Sequence, residues 1–407
     1  MKKNRFAALC ALLILTASVL FTGCEAGGNS GTQNEANTSK NTTAAAATTA
    51  DTKQESADTS EDTSDLFTER DLLQTADLTD AETITVSDRE TVRITETGVY
   101  VLTGNAQNAC VLVEAGDDDK VQLVLDGLTI ENTSQPCILV ESADKVFLTS
   151  ASGSENALTV SGSFQGDEDA VIYSTEDLVL QGLGTVAVTS TKDGIRTNDD
   201  LKLTGGTWTV KASDTALKAH DSILAYDGVY TLTGGSDGLH AEDNDDDTTG
   251  FIVIQGGSFT IKAGDDGVHA TTTVTINGGK MDITAAEGIE ATQVILMSGT
   301  VNIQATDDGV NAGRKSNDLN VKIEINGGNL TIVMGAGDTD AVDSNGDLVI
   351  TGGTINITAQ SAFDYDGSIT HTGGTIIVNG VETDTVTNQM MGGPMGNQMG
   401  GFGGKRR

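Results

Sequence analysis

Six carboxylates stand at one position of a recurring five-residue phrase. Asp193, Asp237, Asp266, Glu287, Asp308 and Asp340 each open a stretch of the form Asp-Gly-aliphatic-x-Ala or a near variant, and Thr215 opens one further copy. Asp214, Asp265 and Asp307 add an acid directly before that position or its equivalent. If successive copies stack as neighbouring strands, these carboxylates lie ~5 Å apart. Like charges that close repel unless they are protonated, solvated or bridged. Calcium is a natural bridge, a hard cation that takes roughly six to eight oxygen ligands. The alternative is that Asp-Gly is a favoured turn dipeptide with solvated acids. One copy is lengthened by an acidic run in which Asp243, Asp245 and Asp247 alternate with other residues. Thr248 stands where an EF-hand loop needs glycine. The run is therefore either a calcium loop of another kind or a solvated acidic turn.

Three residues after each of these positions stands a second column: Arg196, Lys218, His240, His269, Glu290, Asn311 and Asp343. Strand alternation turns it outward if the aliphatic residue before each member points inward. The basic members Arg196, Lys218, His240 and His269 suit hydrogen bonding to sugar hydroxyls and relief of acidic repulsion. With calcium acidifying a proton beside a uronate carboxylate, Arg196 or Lys218 could also act as a base in an elimination. Tyr226 falls at an outward position and is the aromatic candidate for stacking on a sugar ring. Trp208, Tyr230 and Phe259 fall at inward positions and belong to the core. No Ser/His/Asp nucleophile arrangement, phosphate loop or zinc-type spacing is present.

The elements that position these columns follow from a second phrase, built on Gly-Gly as in Thr204-Gly-Gly-Thr-Trp and Asn277-Gly-Gly-Lys-Met, which interleaves with the first at a period of ~21 residues. Between the marks, apolar residues alternate with polar ones in short runs, as in Trp208, Val210 and Ala212, which predicts strands. Helical periodicity is absent. The expected fold is all-β: a right-handed, single-stranded parallel β-helix of about a dozen coils, each of ~21 residues with three short strands. Followed backward, Ala109-Cys110-Val111, Pro136-Cys137-Ile138 and Asp169-Ala170-Val171 take the register of Asp193-Gly194-Ile195. The array then begins near residue 84, and Cys110 and Cys137 fill a small-residue column as reduced thiols.

Around this array the chain predicts four regions. Residues 1–24 read as a lipoprotein signal peptide: Lys2, Lys3 and Arg5, an apolar run, then Thr22-Gly23-Cys24, with Cys24 as the lipidation site. Residues 25–64 are low in hydrophobic content and read as a disordered tether. Residues 65–387 hold the β-helix, with Asp65–Leu73 as a short N-terminal capping helix. Residues 388–407 form a disordered Gly/Met-rich tail. Formal net charge is −36, from 59 acidic and 23 basic residues. That argues against nucleic acid and anionic membrane as partners, and it favours cations, neutral ligands or anionic ligands bridged by cations.

Several landmarks carry a family resemblance: Phe67-Thr-Glu-Arg-Asp-Leu, the Asp-Gly copies, Leu239-His240-Ala241 with its acidic run, Gly335-Ala-Gly-Asp-Thr-Asp340 and Ser361-Ala-Phe-Asp-Tyr-Asp366. Across residues 65–390 their order and spacing resemble a family of bacterial surface lipoproteins known as carbohydrate-binding domain proteins, β-helices similar to polysaccharide lyases. The resemblance implies calcium between coils and binding of a cellulose- or pectin-like polysaccharide without established catalysis. The expectation is thus a monomeric, non-enzymatic binding module lipid-anchored on the extracellular face of the membrane. A calcium-dependent lyase and an adhesin for a protein ligand are the alternatives.

Overall fold

A computed structural model describes residues 66–388 apart from 244, 245, 247, 337 and 338. The chain divides into Met1–Glu61 and Asp62–Arg407, and every described residue lies in the second unit. The expected signal peptide with Cys24, the tether, and the tail beyond Asn388 lie outside the described residues.

Among the described residues the fold is all-β, with no helix and with parallel strands in two long sheets. One sheet holds twelve strands, from Thr91–Ile94 to Ser361–Tyr365, and carries the Asp-Gly phrases. Through most of the chain each strand pairs in register with the third strand after it. Asp193–Thr197 meets Leu217–Ala219, Asp200–Leu203 meets Ser222–Ala225, and Thr207–Ala212 meets Val229–Thr233. This is a β-solenoid. The other sheet contains two strand columns joined near the N-terminal end, where Lys120–Asn132 pairs with both Lys145–Ser150 and Glu155–Val160. An antiparallel hairpin, Thr375–Val378 with Val381–Thr383, follows the last parallel pairs.

Inward residues form one continuous aliphatic core. Trp208, Tyr230 and Phe259 lie in it as expected, in register with one another and fully buried. Tyr230 and Phe259 stack at 4.9 Å. The indole of Trp208 donates to the Gly205 carbonyl at 3.0 Å, so its one polar atom is satisfied inside. The two glycines of the Gly-Gly phrase do different work. The second sits at positive φ, +80° at Gly279, where a side chain is strained. The first lies against the coil before it, so that a Cβ at Gly278 would come within 2.4 Å of the Gln255 carbonyl oxygen.

The glycine of Asp-Gly corrects its reading as turn punctuation. It lies inside a strand, and a Cβ at Gly267 would meet Ile283 Cγ2 at 2.3 Å. The interior has no room there for a side chain. In the same column of the earlier coils stand Cys110 and Cys137, both buried and free. Register corrects one further alignment. Ala170, not Asp169, lies opposite Asp193, because Ile172 is the residue that pairs with Ile195.

The expected capping helix is not formed. Residues 66–74 make successive turns, with Asp71 N–H donating to the Thr68 carbonyl at 3.1 Å and Leu73 N–H to that of Arg70 at 3.3 Å. The segment lies as a strap on the outer face of the larger sheet. Asp71 is fully buried between Lys145 at 3.5 Å and Lys202 at 3.4 Å. Thr204 Oγ1 donates to the Asp71 carbonyl at 2.6 Å, and Gln74 bonds to Thr204 O and Gly182 N–H, each at 2.9 Å. Arg70 lies over the Phe147 ring at 4.3 Å. So short a segment gains little from helical nucleation, and these contacts with the sheet fix its turns instead. Burial alone would raise the Asp71 pKa, but the Thr68 N–H and the two lysines hold it below the ordinary carboxylate value. Asp71→Ala leaves two buried ammonium groups without this partner and should destabilise the protein by about 3 kcal/mol in chemical denaturation. An Asp71→Ala change within about 0.5 kcal/mol of wild type would show that the strap contributes nothing to stability.

Candidate functional site

The twelve-stranded sheet carries both columns read from the sequence. Its outward register runs Tyr173, Arg196, Lys218, His240, His269, Glu290, Asn311, Asp343, Asp364. Tyr173 and Asp364 extend the column beyond the reading. This column is therefore polarised, with basic members from Arg196 to His269 and mainly acidic ones from Glu290 onward.

In the first half, acids and bases neutralise one another. Asp193 Oδ1 accepts from the Thr215 N–H at 3.0 Å, and Asp237 Oδ1 from the Asp266 N–H at 3.1 Å. Each carboxylate thus satisfies the next coil's strand opening. The remaining oxygens meet the basic column: Asp237 Oδ2 lies 2.7 Å from His240 Nδ1, and Asp266 Oδ2 lies 2.6 Å from His269 Nδ1. His269 Nδ1 is also 3.0 Å from Glu290, whose other oxygen takes Lys315 at 2.8 Å. His240 reaches Glu242 at 3.2 Å, and the two imidazoles stack at 4.6 Å. Arg196 pairs with Asp169 at 2.9 Å and reaches Asp193 at 4.0 Å, with Tyr173 beneath its guanidinium at 5.6 Å. Burial raises the proton affinity of Asp193, and the Thr215 N–H and the charge of Lys218, half-buried in the same column, offset this only in part. Burial opposes charge on His269, but its bonds to Asp266 and Glu290 raise its pKa to about 9. Burial would likewise raise Glu290, but His269 and Lys315 bring it down to about 2.

The second half lacks this compensation. Burial, then Glu290, Asp266 and Asp308, push Glu287 up to about 7 despite an Asn311 hydrogen bond at 3.0 Å. Burial lifts Asp308 to about 6, with Asp307, Asp340 and Glu290 adding to it, although its Oδ1 accepts from the Asp340 N–H at 3.2 Å. Asp343 reaches about 7 through burial and the charges of Asp308, Asp364, Asp340 and Asp366. Among the described residues, none of the ion pairs found involves Glu287, Asp308 or Asp343.

The remaining expected ligands are dispersed. Asp214 is half-exposed and 3.6 Å from Lys192, while Asp265 and Asp307 are exposed. Asp243 is buried, accepts from Thr249 Oγ1 at 2.8 Å and lies 3.4 Å from His220. Asp245 and Asp247 lie outside the described residues. Tyr226 stands outward as expected, but Phe67 of the strap meets its ring edge-on at 5.5 Å.

Among the described residues three side-chain groups bring ligand atoms within 4.8 Å of one another: Asp266–His269–Glu290, His220–Asp221–Asp243 and Asp177–Asp199–Asp200. The last was missed in the sequence because no repeated phrase marks it. It forms at the corner between the two sheets, where Asp177 and Asp200 directly precede the paired Leu178 and Leu201. Burial and the charges of Asp177, Asp221 and Asp200 raise Asp199 to about 8. Its donors are all oxygen, as they are at the anionic end of the face. The corner group suits a hard divalent cation; the acids at the anionic end share a face but are not among the converging groups.

A family model described as carbohydrate-binding domain-containing protein matches residues 88–339. A carbohydrate-binding domain-containing protein of Acetivibrio thermocellus is 38% identical over 135 residues, which are 31% of this chain and 47% of that protein. The match thus spans about half the length of that relative. A solved structure of a polysaccharide lyase-like protein from C. thermocellum, a gadolinium derivative, is 30% identical with a TM-score of 0.50, covering 54% of this chain and 96% of that one.

The two halves of the face set a pH profile in the presence of chelator. Carboxylates whose folded pKa is raised contribute stability that is complete below about pH 4 and lost as pH rises through the folded value. For Asp308, Glu287, Asp343 and Asp199 the folded values lie between about 6 and about 8, so the loss begins above about pH 4 and ends at about pH 8. Glu290 has the opposite sign, stabilising above its ordinary value and losing this as pH falls toward about 2. The melting temperature in chelator should therefore peak in weak acid and decline between about pH 5 and about pH 8. A profile that rises across that interval contradicts the assignment.

Proposed function

The chain belongs to the family of carbohydrate-binding domain-containing proteins, whose model spans residues 88–339, and from that premise we propose that it is a calcium-associated polysaccharide-binding protein of the cell surface. The solenoid is read as a right-handed parallel β-helix of about a dozen coils. The protein acts as a monomer, held by a lipid on Cys24 at the extracellular face of the membrane. Its ligand on the acidic face is a uronate-containing, pectin-like chain.

The observation that carries this reading is the division of the acid ladder. Asp193, Asp237 and Asp266 each have a basic partner within the protein, Arg196, His240 and His269, although burial still raises Asp193 and Asp266. Glu287, Asp308 and Asp343 have no such partner among the described ion pairs and are pushed up to about 7, about 6 and about 7. A bound cation removes that repulsion, and calcium fits an oxygen-only donor set. Glu287, Asp308, Asp340 and Asp343 would hold it, with Asp177, Asp199 and Asp200 as a second set at the corner. Calcium supplies a positive centre to which a uronate carboxylate can bind on a chain of charge −36. Arg196 and Lys218 stand on the same face and orient the sugar. That the similar solved protein was obtained as a gadolinium derivative agrees with oxygen-rich sites for hard cations.

A lyase is the second reading, favoured by the polysaccharide lyase-like neighbour. Arg196 is already engaged by Asp169 at 2.9 Å, which weighs against Arg196 as a base. Incubation with polygalacturonate should release no unsaturated product in the ultraviolet; product abolished by Lys218→Ala would establish the lyase instead.

Calcium should raise the melting temperature at neutral pH, since binding to the folded state alone stabilises it. The combined variant Glu287→Gln, Asp308→Asn, Asp343→Asn should melt higher than wild type in chelator and respond much less to calcium. A calcium response retained in that variant but lost in Asp199→Asn, Asp200→Asn would place the ion at the corner. No response in wild type would end the calcium reading. Cys24→Ala should abolish incorporation of labelled fatty acid and release the protein from the cell; a variant that still takes up label excludes Cys24 as the anchor.

A further inference from the structure

The third strand of each coil presents a surface unlike the acidic face. Its outward side chains alternate strictly with the buried core residues, as in Thr207–Ala212 and Val229–Thr233. One outward column runs in register through Ala157, Ala187, Thr209, Thr231 and Thr260, and returns to threonine at Thr331. Thr207 flanks it on one side and Thr233 on the other. From Glu155 to Thr358 the outward charged residues of this surface are Glu155, Lys211, Lys262, Lys280 and Asp282, and the last two pair with each other. On a chain of charge −36, this face carries no excess of acid.

Three further observations point to a ligand. The hydroxyls of Thr207, Thr209, Thr231, Thr233 and Thr260 make no hydrogen bond within the described residues, whereas those of Thr197, Thr204 and Thr292 are each bonded inside at 2.6 to 2.8 Å. The threonine surface is rigid: β-branched side chains hold few rotamers in strands, and Trp208, Tyr230 and Phe259 fill the core directly behind it. At its N-terminal end, where Ala157 and Ala187 lack bulk between Thr129 and Thr209, a groove of about 440 Å³ opens along the column.

We propose that this face binds an uncharged polysaccharide chain, laid across the strands along the Ala157–Thr260 column with its end in the groove. Each free hydroxyl donates one hydrogen bond and accepts others, which matches a polymer whose surface is itself hydroxyl. The donors are fixed before binding, so little side-chain freedom is lost. A uronate chain meets only the scattered ammonium groups of Lys211 and Lys262 on this face, and the site proposed for it lies on the acidic side. The inference rests on the reading that the chain binds polysaccharide. It adds a second surface, independent of calcium and selective for neutral glycan.

The test uses the full chain with two insoluble probes, microcrystalline cellulose and polygalacturonate gel, each with calcium or with chelator, at low and high salt. Wild type should be retained on cellulose equally in calcium and chelator and with little dependence on salt. The pair Thr209→Glu, Thr231→Glu should weaken that retention at least about tenfold, several hydrogen bonds being lost, while retention on polygalacturonate with calcium stays as in wild type. Should the charged pair melt well below wild type, Thr209→Val, Thr231→Val keeps the β-branch, removes only the hydroxyls and should show the same selective loss. Wild-type failure to bind cellulose, release by chelator, or undiminished binding by a folded variant each overturns the proposal. Failure on polygalacturonate alone bears on the calcium reading and leaves this one standing.

Discussion

Stacking in register forces every side chain to meet its own counterpart one coil away. For apolar residues this is favourable, since like packs against like throughout the core. For a charged residue it is a penalty repeated at every coil. The acid at the head of each Asp-Gly phrase is where the two demands collide. Its first oxygen is useful, because it accepts the N–H that opens the strand of the next coil, as in Asp193 to Thr215 and Asp308 to Asp340. The second oxygen is the problem. In one half of the face the protein answers it with its own cations three residues on. In the other half the same position is Glu290, Asn311 or Asp343, and the repulsion is left to protons or a bound ion.

That division was legible in the sequence as far as strand parity reaches. The outward column was read in the right order because its members repeat at a fixed offset from the acid. The core placement of Trp208, Tyr230 and Phe259 followed from the same parity. What parity cannot give is the path of the chain between strands. Asp177, Asp199 and Asp200 converge at a corner that no phrase marks. Asp169 looked like a ladder acid because Asp-Ala-Val imitates Asp-Gly-Ile, yet the backbone enters that coil one residue later. The strap was misread as a helix for a related reason: the partners that shape it, Lys145 and Lys202, lie far away in sequence.

Two surfaces of one solenoid now have opposite characters. On the twelve-stranded sheet the chemistry is ionic. On the threonine surface it is neutral and fixed by the stiffness of β-branched side chains over an aromatic core. Both derive from the same rule, since a column repeats whatever residue the phrase places there. Family membership explains why carbohydrate is the ligand class to consider. The distribution of charge is the ground on which the two proposals give the sides different glycans.

The strap also imposes an order of events. Within the coils, each strand finds its partner a few tens of residues away, so stacking can spread locally from any nucleus. Asp71 instead bonds to side chains up to 133 positions distant. It has no seat until the strands bearing Lys145, Asp177 and Lys202 are stacked side by side. During synthesis from the N-terminus the strap emerges first and docks only after those coils exist. A docked Asp71 is thus a signature that this stretch of the solenoid has been completed.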